Sequence, residues 1–114
     1  MKKLVLLLLL MSCGQEQTVV VETVEKETFK SLLKNNYPVL DVRTPQEYDG
    51  GHIDKAVNID FNAPDFKDQL AKLEKDQPFL IYCAVGWRSA RAASLMQSLG
   101  FKKVYELKGG YRNW

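Results

Sequence analysis

The sequence predicts an α/β domain with a central, mainly parallel five-stranded sheet flanked by helices. Three observations predict it. Short apolar and β-branched runs alternate with amphipathic helical patterns from residue 19 onward. Phe79–Tyr82 reads FLIY, an unbroken apolar strand of the kind a parallel sheet buries on both faces. The 114-residue length gives room for one domain and no more.

Each element follows in chain order. Residues 19–21 make a first strand. Residues 25–35 make a helix with Phe29, Leu32 and Leu33 at i, i+3 and i+4; Asn35 and Asn36 end it and Pro38 prevents its continuation. Residues 39–42, VLDV, form the second strand. Residues 45–48 form one helical turn with Pro45 at its start. Gly50 and Gly51 break that turn, and residues 56–59 make a third, brief strand. Residues 66–75 form a helix with Phe66, Leu70 and Leu73 on one face, and the FLIY strand follows. Residues 88–99 form the most regular helix, striped by Ala92, Leu95, Met96 and Leu99 and closed by Gly100. Residues 103–106 are the last strand, and Gly109-Gly110 opens a final turn.

The N-terminus has a different character. Lys2 and Lys3 precede LVLLLLLM at residues 4–11. This run is too short to cross a bilayer, which takes roughly 20 apolar residues, and it has the form of a secretory signal. Its end, Leu10-Met11-Ser12-Cys13-Gly14, resembles the bacterial lipoprotein lipobox. The resemblance implies cleavage before Cys13 and lipidation of that cysteine. Residues 1–12 are then a signal peptide, residues 13–18 a lipidated N-terminus and tether, and residues 19–114 the domain. The expected location is the bacterial cell envelope, membrane-anchored and facing the periplasm. An ordinary signal peptide cut nearby, leaving a soluble periplasmic protein, is the alternative.

Charge supports no nucleic-acid partner. Of 16 Lys and Arg, Lys2 and Lys3 fall in the leader, leaving 14 against 14 Asp and Glu, none of which lies in residues 1–12. The mature chain is neutral, and no basic stripe with interleaved aromatics occurs in it. With Cys13 lipidated, Cys83 is left without a disulfide partner in the chain. It is either buried and inert or kept for its reactivity.

The residues after Cys83 favour reactivity. Cys83-Ala84-Val85-Gly86-Trp87-Arg88-Ser89 joins a strand end to a helix start. A free thiol has a pKa of about 8.5. A helix N-terminus carries roughly half a positive charge, and successive N–H groups of a curled loop form a nest for an anion. Arg88 adds a permanent cation if it folds over the loop. Gly86 permits a positive φ. Ser89 is placed to cap the helix or donate to a bound anion. Taken alone, a cysteine at a strand end is a small buried hydrophobe; the loop and arginine argue against that.

Three blocks together resemble a single-domain rhodanese, a sulfurtransferase with a rhodanese-like three-layer fold. They are Asp41-Val42-Arg43 with Glu47-Tyr48, Gly51-His52-Ile53, Ala56 and Asn58-Ile59; then Tyr82-Cys83, Gly86, Arg88-Ser89, Ala92-Ala93, Leu95 and Gly100-Phe101; then Val104-Tyr105, Leu107, Gly109-Gly110 and Trp114. Lys55 departs from the pattern, which has glycine there. The resemblance implies a persulfide mechanism. Cys83 attacks the sulfane sulfur of a donor such as thiosulfate, keeps it as a persulfide, and passes it to cyanide or a thiol, with a protein thiol as a further acceptor. Residues 84–89 (Ala84, Val85, Gly86, Trp87, Arg88 and Ser89) hold the substrate, Arg88 by binding the anionic donor. No metal or organic cofactor is implied. His52, Asp41, Arg43 and Glu47 read as fold-stabilising residues. Trp87 either lines an apolar acceptor site or shields the persulfide.

Other functions stay in view. A non-catalytic persulfide carrier or an envelope thiol sensor would use the same cysteine. The dual-specificity phosphatases of the same fold place five residues between cysteine and arginine; here four separate Cys83 from Arg88, a smaller cradle suited to sulfur. That weighs against a phosphatase or an arsenate reductase.

Overall fold

The computed structural model describes residues 19–114. The signal peptide, Cys13 and the tether expected at residues 1–18 lie outside the described residues. Five strands and four helices alternate: β1 (Val21–Val24), α1 (Lys26–Leu33), β2 (Val39–Asp41), α2 (Pro45–Asp49), β3 (Val57–Asn58), α3 (Phe66–Ala71), β4 (Phe79–Tyr82), α4 (Trp87–Ser98) and β5 (Val104–Leu107), followed by a short 3-10 turn at Tyr111–Asn113. The strands form one sheet in the order β1-β5-β4-β2-β3, every pair parallel.

The period-2 alternation of β4 explains the three layers. Phe79 and Ile81 face a core closed by α3 and α4, with Phe66, Leu70, Ala92, Ala93 and Met96. Leu80 and Tyr82 face the opposite core, where Phe29 of α1 packs with Val24, Val39 and Leu107. Leu80 and Ile81 are wholly buried, which stabilises the fold by about 1.5–3 kcal/mol for each side chain. The central position of β4 puts its C-terminal end, and therefore Cys83, over the middle of the sheet.

Several boundaries differ from the sequence expectation. The first strand runs from Val21 to Val24 because it pairs in register with β5, Val21 with Val104 through Val24 with Leu107. The last strand shifts by one residue for the same reason. The third strand shrinks to Val57–Asn58 at the sheet edge, where the Asn58 side chain donates to the carbonyls of Asp41 and Arg43. The helix from Phe66 stops at Ala71: Lys72 and Leu73 donate to Gln69 and Leu70, tightening the chain into a turn that leads to β4.

Candidate active site

The end of β4 delivers Cys83 into a loop that Gly86 closes. Gly86 is the N-cap of α4 with φ 118°, a conformation available to glycine and strained for other residues. That turn aims two backbone donors at the sulfur. Gly86 N–H lies 3.1 Å from Sγ and Ser89 N–H, in the first turn of α4, 3.3 Å from it. With the helix dipole behind them, these donors stabilise negative charge on sulfur. The Cys83 side chain is wholly buried beneath the loop, while Val85 and Trp87 stand out from it, 42 % and 54 % exposed.

The C-terminal turn braces this loop. Tyr111 N–H donates to the Cys83 carbonyl at 2.7 Å and Arg112 N–H to the Ala84 carbonyl at 2.9 Å. Gly110 makes the approach possible: a Cβ there would lie 2.5 Å from the Ala84 carbonyl.

Arg88 does not fold freely over the loop. Its guanidinium grips Glu47 through two hydrogen bonds, 2.9 and 3.2 Å. Glu47 is also part of a capping box: it accepts from Thr44 N–H while its own N–H donates to the Thr44 hydroxyl. The Arg88 bonds, aided by Thr44 against a smaller opposing effect of burial, pull Glu47 down to about 2. The cation expected to meet a donor anion is therefore neutralised by a carboxylate, and it ties the start of α4 to α2.

Ser89 also differs from expectation. It does not cap α4; Gly86 does, without a side-chain bond. The Ser89 hydroxyl, 3.4 Å from Sγ, donates to the buried carboxylate of Glu106 at 2.6 Å. Glu106 lies in β5 and was not singled out by the sequence, although a charged residue two positions after buried Val104, on the same face of the strand, was the available signal.

The remaining polar residues hold the scaffold. Arg43 clamps Asp41 and reaches the Gly51 carbonyl, and the Tyr82 hydroxyl donates to Asp41 at 2.6 Å. Burial, and then Asp41, push the Tyr82 phenol above its ordinary range, so it stays a donor. His52 is exposed and stacks on Tyr48, with Nδ1 2.8 Å from the Tyr48 carbonyl. Trp87 meets Phe61 edge to face and lies beside Arg91. A cavity of about 470 Å³ lies at the other end of the sheet among Leu33, Tyr37, Ile53, Lys55 and Trp114, and no loop residue lines it. Among the described residues no cluster of His, Cys, Asp and Glu gathers as a metal site.

A strand-to-helix loop with backbone donors converging on one buried thiol, on a five-stranded parallel sheet, defines a class of cysteine-centred α/β domains. The family model described as rhodanese-like domain matches residues 25–114, and the chain belongs to the rhodanese-like family. It is 33% identical over 93 residues to a thiosulfate sulfurtransferase, GlpE of Pseudomonas paraeruginosa, covering 82% of this chain and 83% of the relative. A tRNA uridine(34) hydroxylase of Pelagibacter ubique is 42% identical over 77 residues, which are 67% of this chain but 26% of that protein. The human single-domain sulfurtransferase TSTD1 superposes with a TM-score of 0.69 at 25% identity, over 81% of this chain and 93% of that one.

Proposed function

We propose that the protein is a sulfurtransferase that moves a sulfane sulfur from a donor such as thiosulfate to cyanide or a thiol through a Cys83 persulfide. The observation that carries this reading is the pair of N–H groups, Gly86 and Ser89, converging on Sγ. In the first half-reaction the Cys83 thiolate attacks the outer sulfur of thiosulfate. The S–S bond of the donor breaks, sulfite leaves with the electron pair, and Cys83–S–S⁻ remains. In the second, the acceptor attacks the outer sulfur and the Cys83 thiolate is restored. Two half-reactions on one nucleophile give ping-pong kinetics. The loop donors stabilise the anion in both states. Because Sγ is fully enclosed, the loop must part far enough to admit a sulfur atom. Arg91, which makes no ion pair among the described residues, adds positive charge beside Trp87 for an anionic donor.

Intact-mass measurement after thiosulfate treatment tests the reading. The expected result is a gain of one sulfur atom, lost on adding cyanide and absent in Cys83→Ser. No gain in the wild type overturns it. Steady-state turnover then separates a catalyst from a stoichiometric persulfide carrier, which would show the mass gain without turnover.

The leader and the lipobox-like segment ending at Cys13 support a lipid-anchored location in the bacterial envelope. Cys13→Ala is expected to release the protein from membranes; unchanged partitioning rules the anchor out.

A further inference from the structure

Glu106 is an acid where a parallel sheet normally keeps apolar side chains. It is 4 % exposed, on the α4 face of β5. A buried carboxylate without a cation is costly unless its oxygens are hydrogen-bonded. Thr23 of β1 donates to Oε1 at 2.8 Å, and Ser89 of α4 donates to Oε2 at 2.6 Å. No Lys, Arg or His nitrogen lies within ion-pair distance among the described residues. Beyond Ser89 Oγ lie the Gly86 carbonyl, an acceptor at 3.2 Å, and the Cys83 thiol, whose Sγ is 3.4 Å from Oγ in donating geometry. The groups facing Glu106 are thus the Thr23 hydroxyl from β1, the Ser89 hydroxyl from α4 and, through Ser89, the thiol at the end of β4. Helix α1 covers the opposite face of the sheet.

We propose that Glu106 is a positioning residue that takes the Cys83 proton through Ser89 and holds it while sulfur is transferred. The step balances within the three residues. The S–H bond of Cys83 breaks as its proton passes to Ser89 Oγ, and the Ser89 O–H proton passes to Glu106 Oε2. A thiol and a carboxylate become a thiolate and a carboxylic acid, with the serine unchanged. The loop then carries one negative charge rather than two, so the persulfide anion is not opposed by a second anion behind Ser89. This rests on Cys83 being the sulfur-carrying nucleophile, which the thiosulfate mass test addresses by itself.

The relay is tested by infrared difference spectroscopy of the full chain, thiosulfate-treated minus untreated, because a carboxylic acid and a carboxylate have distinct C=O bands. Persulfide formation is followed in the same samples by intact mass. The wild type is expected to gain a carboxylic-acid band as the persulfide forms. Cys83→Ser and Glu106→Gln should gain none, and Glu106→Asp should gain one at a shifted frequency. A wild-type persulfide that forms without a carboxylic-acid band overturns the proposal whether or not the variants fold. A band that persists in folded Glu106→Gln overturns it as well, since the proton then rests elsewhere.

Discussion

Arg88 and Glu47 lock the first turn of α4 to α2, with Nη1 2.9 Å from Oε1 and Nη2 3.2 Å from Oε2. A planar guanidinium against a carboxylate is the strong form of this interaction. It anchors the helix whose N-terminus faces Cys83 to an element 41 residues earlier in the chain.

A pH dependence follows. Glu47 falls from 4.5 to about 2, first through its bonds to Arg88. Its folded value lies below the unfolded one, so its contribution to stability is complete above about pH 4.5 and is lost as pH falls toward about 2. The carboxylate is about a third exposed, so solvent screening reduces that contribution to roughly 1 kcal/mol. Glu47→Gln should therefore unfold more easily than the wild type at neutral pH, by about 1 kcal/mol. The gap should close in denaturation curves collected toward pH 2. A gap of constant size across that range would contradict the pairing.

Lys55, the one departure from the family pattern noted in the sequence, adopts φ 71°. It is the third residue of a turn closed by Ala56 N–H on the Ile53 carbonyl, the position that favours glycine in a type II turn. A side chain there costs about 1–2 kcal/mol, part of which glycine gives back as unfolded-state entropy. Lys55→Gly should stabilise the protein by about 0.5–1 kcal/mol. The check is a raised urea midpoint at unchanged m-value, with sulfur transfer unaffected.

The loop around Cys83 was legible because residues 83–89 are contiguous and the strand–helix junction is local. Gly86 permits a positive φ by its residue type alone, and the loop uses one. The contacts that surround the loop were not legible, because they arrive through sheet neighbours. Glu106 reaches the site only because β5 lies beside β4, with Ile81 opposite Glu106. The sequence offers Arg88 as a cation for the loop, and nothing local in it shows that α2 presents Glu47 to that side chain. The start of β1 differs from the sequence expectation because Val19 to Val24 offers several strand-forming registers, and pairing with β5 selects one of them.

Gly110 should tolerate no side chain. At φ 68° and ψ −168° it occupies a region essentially reserved for glycine. A Cβ would also press on the Ala84 and Cys83 carbonyls at 2.5 and 2.6 Å. Backbone strain and overpacking together give a destabilisation of about 2–5 kcal/mol for Gly110→Ala. The same displacement would detach Tyr111 N–H from the Cys83 carbonyl, so persulfide formation should fall further than stability alone explains. Measuring the mass gain from thiosulfate at a temperature where the variant remains folded distinguishes the two; full persulfide formation there would show that the brace is dispensable.

Trp87 separates acceptor recognition from donor chemistry. More than half exposed, it contributes little to the core, and its ring meets Phe61 edge to face beside Arg91. Trp87→Ala should change stability by no more than about 0.5 kcal/mol. An aromatic face at the mouth of the loop contributes apolar contact to an organic thiol and almost none to cyanide. The variant should therefore raise KM for a thiol acceptor several-fold while leaving KM for cyanide and the extent of persulfide formation near wild-type values. If instead the isolated persulfide of Trp87→Ala decays faster in buffer with no acceptor present, and both KM values are unchanged, the indole is a shield against water rather than a wall of the acceptor site.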